Sequence, residues 1–279
     1  MSAGFQRAIT GDASEHARRR LLSRLGEPLF FSDWERVVFI HYEVDAGALQ
    51  QCVPFPLDLY ESKAYVSIVA FDMRRLRPRI GGRFSEWLFR PISRHGLLNV
   101  RTYVRCRNEP GIYFLAEWLS NRLSAILGPR TFGLPYRLGR LKYEHFHEKG
   151  ELRGAVADRN TSHSLAYSAM IDTAAQFHSS APDSLEEFLL ERYTAFTCCA
   201  AKLRLFRIWH TPWLQSPIEV SVLEDSLLTT TWPWLKTARL VGANYSPGLL
   251  RVWMGRPLRL KETSTVRRGS ISSAFYEFP

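Results

Sequence analysis

Residues 97–119 read LLNVRTYVRCRNEPGIYFLAEWL. Asn108, Glu109, Pro110 and Gly111 place four turn formers in a row between two runs rich in β-branched and aromatic residues. Leu97 to Arg107 and Ile112 to Leu119 are therefore expected to pair as a β-hairpin. With Arg107 facing Ile112, side-chain alternation puts Asn99, Arg101, Tyr103 and Arg105 on one face with Phe114, Ala116 and Trp118, and sets Arg101 opposite Trp118. A polar and aromatic wall of this kind suits a pocket for a small anionic or aromatic molecule. The plainer alternative is a solvated outer face, and a one-residue slip would break the grouping.

The rest of the chain reads as more strands around this hairpin. Val37, Val38, Phe39, Ile40, Tyr42 and Val44 are strand formers, and Asp45 then offers an N-cap for a helix over Ala46 to Cys52. Ala64 to Met73 is apolar on both faces and is expected to be a central strand, joined to Leu57 to Tyr60 by a short turn. Arg74 to His95, with Pro78, Gly81, Gly82 and Pro91, reads as a long loop. Asn121 to Leu127 is expected to be a short helix stopped by Gly128 and Pro129. Strands follow at Tyr136 to Phe146, Leu152 to Asp158 and Ser164 to Ile171. Asp183 or Ser184 opens a helix through Leu185, Phe188, Leu189 and Tyr193, with Glu186 and Glu187 in its first turn. Arg204 to His210, Ile218 to Leu223 and short strands out to Trp253 complete the pattern. The fold class expected is α+β and mainly antiparallel β, a barrel or strongly curved sheet with two or three helices. Residues 1–33, with a helix over Ser14 to Leu25, read as a basic extension; 34–255 form the barrel domain; 256–279, including the loose Ser264 to Pro279, form a tail.

The 279 residues carry a formal charge of +10, with 46% hydrophobic and 23% charged residues, which excludes disorder over most of the length. The apolar stretch Tyr65 to Phe71, itself interrupted by Ser67, is far short of the roughly 20 residues of a membrane-spanning helix. Cations divide into 31 Arg and 6 Lys, spread along the chain except for Arg74, Arg75, Arg77, Arg79 and Arg83. That cluster, followed by Phe84, Trp87, Leu88 and Phe89, could touch phosphates or a membrane interface; a solvated loop with its aromatics tucked back is the plainer account. Cys52, Cys106, Cys198 and Cys199 have neither zinc nor disulfide-framework spacing, and no signal segment precedes them, so a reducing, cytoplasmic setting is expected.

No GxSxG elbow, P-loop or GxGxxG is present, which removes the usual sequence arguments for a hydrolase, an NTPase or a dinucleotide enzyme. His145 and His147 could chelate a metal with His163, but a polar hairpin tip before Gly150 explains them as well, and neither a metal nor a cofactor is assigned.

Several strings occur in order: Trp34, Val38, His41, Tyr42 and Val44; Pro54 to Leu57; Asn99 to Val104; Pro110 to Phe114; Leu134-Pro135-Tyr136; Leu189 with Glu191, Arg192 and Tyr193; and His210-Thr211-Pro212-Trp213. Together they resemble the YqjF-like family of bacterial proteins of unknown function, in the acetoacetate-decarboxylase-like superfamily. The resemblance spans about Trp34 to Trp253 and implies an antiparallel barrel of curved sheet with a few peripheral helices around a central cavity. The decarboxylase works through a buried lysine that forms a Schiff base with its keto acid. That lysine lies in a Phe-Gly-Tyr-Pro-Lys-Lys type of string, and here Phe132-Gly133-Leu134-Pro135-Tyr136-Arg137 stands in its place. Tyr136 falls on the lysine position and cannot form an imine, so Schiff-base decarboxylation is not expected unless Lys142 substitutes. The family pattern also has a carboxylate ahead of the Asn-x-Arg-Thr-Tyr string where Leu97 and Leu98 stand, which leaves Arg101 free for an anion or obliges Glu117 to approach.

These readings lead to a small-molecule-binding protein with catalysis left open. Asn99, Arg101, Tyr103, Arg137, His210 and Trp213 are its expected ligand-binding residues, and Tyr136 its candidate catalytic residue, a donor or general acid whose pKa Arg137 would lower. Nucleic acid is not the expected partner, and a homo-oligomer is compatible. The alternative is an interaction protein that docks to anionic membrane or nucleic acid through the Arg74 to Arg83 loop.

Overall fold

Strand alternation sorts the chain's long apolar runs into two faces, one turned into a ring of strands and one turned outward. A computed structural model of the chain describes residues 3–260. Its helices are α1 (Ala3–Leu22), α2 (Ala46–Gln51), α3 (Gly82–Phe89), α4 (Arg122–Thr131), α5 (Leu185–Leu190) and α6 (Ser226–Thr229). Its strands are β1 (Phe30–Val44), β2 (Ala64–Pro78), β3 (His95–Cys106), β4 (Glu109–Leu119), β5 (Tyr136–Glu144), β6 (Glu151–Asp158), β7 (Ser164–Met170), β8 (Thr194–Cys199), β9 (Lys202–Trp209), β10 (Ser216–Pro217), β11 (Glu219–Glu224), β12 (Arg239–Met254) and β13 (Leu258–Arg259).

Hydrogen-bonded neighbours run β12, β1, β2, β3, β4 and β8, then through β9 back to β12, so seven strands close a ring. Beyond Glu117, β4 pairs in parallel with β5, and β6, β7 and β11 extend that branch as an antiparallel wing. The expected mainly antiparallel fold with peripheral helices is what forms. Inside the ring, Val37, Phe39, Val69, Phe71, Leu97, Phe114 and Phe206 pack together. Val38, Ile40, Val66, Ile68, Val100, Trp118 and Tyr167 make a second core on the outer side. β2 is buried on both faces from Ala64 to Phe71, as its two-sided apolar pattern requires.

The helix starts follow side-chain caps. Asp45 accepts from the Ala48 amide (2.7 Å) at α2, and Ser184 accepts from the Glu187 amide (3.2 Å) at α5. α5 is shorter than its periodicity suggests: it ends at Leu190, and Tyr193 lies just before β8.

Several expectations are corrected. The 97–119 hairpin forms, but Arg107 and Asn108, both at positive φ, make the turn, and Glu109 and Pro110 belong to a strand. Opposite pairs are Arg105↔Pro110 and Arg101↔Phe114; a bulge then skips Leu115, so Asn99 faces Glu117 while Ala116 and Trp118 turn outward. Arg74 to His95 is not one loop, because β2 continues to Pro78 and α3 and a 3-10 turn (Arg90–Ile92) follow. α4 runs through Gly128 and Pro129, with Phe132 and Gly133 amides closing on their carbonyls. At the N-terminal end, β1 already begins at Phe30, ahead of the expected boundary at Trp34, and the Ser14 hydroxyl of α1 donates to the His210 carbonyl (2.7 Å). At the other end, Leu258 and Arg259 pair with β9, while the predicted loose tail from Ser264 lies outside the described residues. No helix among the described residues is long and apolar enough to cross a membrane.

Candidate functional site

The inward face of β3 carries Asn99, Arg101 and Tyr103 on alternate positions, and all three are buried. Arg101 donates to the Leu189 carbonyl (3.0 Å) at the end of α5, and its guanidinium lies 5.7 Å from the centre of the Phe39 ring. The Tyr103 hydroxyl donates to the same carbonyl (3.0 Å) and meets the Ser67 hydroxyl, which meets His41 Nδ1 (2.7 Å). On its far side His41 Nε2 faces Asn244 (3.2 Å), whose amide donates to Gln215 (2.6 Å). A continuous polar chain therefore crosses four strands of the ring.

α5 is held against that chain by a second buried assembly. Arg192 donates to Asp58 (2.7 Å), which also accepts from Arg105 (3.0 Å), and the Arg192 guanidinium stacks 4.1 Å from the Phe188 ring. Arg192 Nε also donates to the Phe188 carbonyl (2.6 Å), so charge-assisted bonds tie the segment that carries Leu189 to Asp58.

Arg101 itself has no carboxylate at ion-pair distance among the described residues, and its Nε has no partner. Two further inward atoms on the same hairpin share that condition: Asn99 Oδ1 and Glu117 Oε2. Burial holds the Glu117 carboxyl well above the usual range, so it stays protonated. His41 is held neutral at about 3, first by burial and then by the Arg101 charge. His210 is lowered to about 4, first by burial, with Arg101 adding to it. Glu191, which accepts from the Trp213 amide (2.8 Å) and the Tyr193 hydroxyl (2.6 Å), is raised to about 7 by burial. His41, His210 and Glu117 near Arg101 are thus kept neutral, while Glu191, about half ionised at neutral pH, feels the Arg101 charge without reaching ion-pair distance.

The sequence-predicted residues divide in two. Asn99, Arg101 and Tyr103 come together as expected, and His210 and Trp213 join them from the segment after β9: Trp213 meets Phe39 edge-on at 5.1 Å and His210 at 5.4 Å. Tyr136 lies across β4 from Asn99, opposite Glu117, in the row Asn99–Glu117–Tyr136. Its ring fills the space beside Gly128 of α4, where an added Cβ would lie 2.1 Å from it. Burial, with the Glu117 carboxyl adding to it, pushes the Tyr136 hydroxyl well above its ordinary pKa. Arg137 is not brought to this site: it stands on the other face, 5.3 Å over the Trp118 ring, and does not lower the Tyr136 pKa. Glu117, Glu191, His41, Ser67 and the Leu189 carbonyl are the residues the sequence-level site omits. The bulge at Leu115 hides Glu117, since unbroken alternation would turn it outward.

Other candidates lie elsewhere. Lys142 is 79% exposed and paired with Glu144 (2.9 Å), lining a shallow groove of about 450 Å³ with Glu151 and Arg153 on the wing. Lys63, Lys149, Lys202 and Lys236 are likewise exposed. His145 is buried rather than at an exposed tip, with its nitrogens on the Arg36 carbonyl and the Tyr167 hydroxyl (both 2.8 Å). Within the Arg74 to Arg83 cluster, Arg74, Arg75 and Arg77 are paired with Glu35, Asp33 and Glu86.

Comparison with known proteins places this geometry. The model of DUF2071, uncharacterized conserved proteins, matches residues 32–248. The uncharacterized protein YqjF of Bacillus subtilis (strain 168) is 34% identical over 206 residues, covering 69% of this chain and 79% of that protein. Acetoacetate decarboxylase from Legionella pneumophila superposes with a TM-score of 0.58 at 14% identity, over 84% of this chain and 87% of that one. An acetoacetate decarboxylase-like enzyme from Sphingomonas wittichii RW1 gives 0.60 at 11% identity, over 85% and 95%. The enduracididine biosynthesis enzyme MppR, complexed with the condensation product of pyruvate and imidazole 4-carboxaldehyde, gives 0.59 at 14% identity, over 86% and 92%. The ring, its branch and its helices are thus the acetoacetate-decarboxylase-like fold, and the chain belongs to the DUF2071 family.

Proposed function

We propose that this protein binds a small molecule bearing a carboxylate or similar anionic group inside its strand ring, with that group seated against Arg101. The observation that carries the reading is a buried guanidinium with no carboxylate at ion-pair distance among the described residues, beside His41 and His210 kept neutral by burial. Burying an unpaired cation costs several kcal/mol, and a ligand anion offsets that cost. Asn99, Tyr103, His210 and Trp213 form the wall. Tyr136 and Glu117 present neutral O–H groups suited to donating to a ligand oxygen, and any catalytic part for Tyr136 is as a donor or general acid. A Schiff-base route is outside this reading, because Tyr136 stands where the resembling string has its lysine and the described lysines are exposed rather than buried in the ring. Two proteins of similar fold, an acetoacetate decarboxylase and MppR complexed with a condensation product of pyruvate, concern small keto acids, which fits an anionic ligand. Four free thiols accord with a cytoplasmic setting. The Arg74 to Arg83 docking alternative is disfavoured by the ion pairs that occupy three of its five arginines.

Thermal unfolding with a panel of small carboxylates, headed by pyruvate and acetoacetate, against their amides tests the reading. Carboxylates are expected to raise the melting temperature and the amides to leave it unchanged; equal effects of both would refute it. Borohydride treatment with the same keto acids is expected to leave no covalent adduct.

A further inference from the structure

A surface helix of a water-soluble protein ordinarily buries its apolar stripe and shows its polar face to solvent. α3 and α4 do the reverse. On α3 the buried residue is Ser85, while Phe84, Trp87 and Leu88, at i, i+3 and i+4, are 72%, 66% and 58% exposed. On α4 the buried residues are Ser124 and Gly128, while Leu123, Ile126 and Leu127 repeat the same spacing outward. The two elements adjoin, since the Asn121 side chain at the start of α4 donates to the Pro91 carbonyl (2.6 Å) just after α3. Ile80 extends the apolar surface at 70% exposure.

The charge around this surface is of one sign. Across residues 79–94 and 121–131 the cations are Arg79, Arg83, Arg90, Arg94, Arg122 and Arg130, all exposed and none ion-paired with a described residue. The single acid there, Glu86, is occupied by Arg77 from β2. Apolar side chains able to enter an acyl boundary, ringed by unpaired guanidinium groups, complement an anionic lipid surface; a self-associating face would set like charges against each other.

We propose that α3 and α4 together dock this protein to the surface of a bilayer containing anionic phospholipid, with Phe84, Trp87 and Leu88 entering the headgroup boundary and the six arginines meeting lipid phosphates. This is a different surface from the interior site and a different claim from the Arg74 to Arg83 loop, since α4 supplies half of it. No described helix is long and apolar enough to cross the bilayer.

The test uses the full chain with vesicles of phosphatidylcholine alone and of phosphatidylcholine mixed with phosphatidylglycerol, read by co-sedimentation. Binding is expected on the mixed vesicles, weak binding on the neutral ones, and a fall with added salt, since each arginine near an anionic surface contributes about fivefold. Phe84→Ser with Trp87→Ser, and separately Arg83→Glu with Arg122→Glu, are each expected to reduce partitioning at least about tenfold while leaving circular dichroism unchanged, because the altered side chains are exposed. Quenching of Trp87 by brominated lipid, absent in Trp87→Phe, reports insertion without any loss of fold. Equal partitioning of wild type and variants, or no binding to mixed vesicles, would overturn the proposal. So would self-association without vesicles that the same substitutions abolish, which would assign the surface to a second copy of the chain.

Discussion

Asn99 on β3 and Glu117 on β4 stand directly opposite one another across the hairpin, each with a buried oxygen that no described group satisfies. Two unsatisfied polar oxygens side by side are costly in a folded protein and are retained where something else completes them. Asn99→Leu is therefore expected to leave the ligand-free protein as stable as wild type, or more so by up to about 1 kcal/mol, while weakening carboxylate binding. Urea denaturation paired with a binding titration reads both, and a stability loss of several kcal/mol with unchanged binding would make Asn99 purely structural.

Gly128 gives a steric prediction. Its missing side chain is the space the Tyr136 ring occupies, so Gly128→Ala should overpack the contact and cost about 1–3 kcal/mol. Tyr136→Phe, which keeps the ring and removes only the hydroxyl, should change stability by about 1 kcal/mol or less. A harmless Gly128→Ala in thermal denaturation would mean that Tyr136 is not fixed under α4.

Asp58 anchors the segment that presents the Leu189 carbonyl. Asp58→Ala strands the buried Arg192 charge and should destabilise the fold by about 3–5 kcal/mol. The conservative Asp58→Glu keeps the charge, so guanidinium chloride midpoints for the two should separate; coincident midpoints would show that the ion pair does not hold α5.

Stability should depend on pH in two opposed ways. His41, lowered to about 3, and His95, His145 and His210, each lowered to about 4, are neutral when folded and take up protons on unfolding below about 6.5. Their contribution is complete above pH 6.5 and is lost as pH falls toward 4, on the order of 10 kcal/mol together, enough to unfold a typical domain. Glu191, raised from 4.5 to about 7, works the other way: its stabilisation is present below 4.5 and lost as pH rises to about 7. Glu191→Gln should therefore gain on wild type by about 3 kcal/mol across that interval. Denaturation of both proteins at several pH values checks the sign, and a constant difference would refute it.

Much of this was legible in residue order. Alternation in Val37 to Val44 and in Leu97 to Tyr103 fixes which side chains enter the ring, and Asp45 and Ser184 mark helix starts through local capping. What was hidden depends on contacts distant in sequence or on local irregularity. The skipped Leu115 moves Glu117 inward and Trp118 outward, and no propensity in that run announces it. The acceptor for Arg101 is a backbone carbonyl at Leu189, which any residue could supply. α3 was obscured by its glycines and by a stripe that points outward, so its pattern resembles a loop with scattered aromatics rather than a helix seeking a core.

The central claim is that Arg101 is a buried charge awaiting an anion, and equilibrium urea denaturation of Arg101→Leu, with and without saturating pyruvate, tests it most directly. The account predicts a ligand-free variant at least as stable as wild type, because the unpaired charge is gone, and no stabilisation by pyruvate where wild type gains it. A ligand-free variant destabilised by several kcal/mol, or one that pyruvate stabilises as it does wild type, would contradict the account.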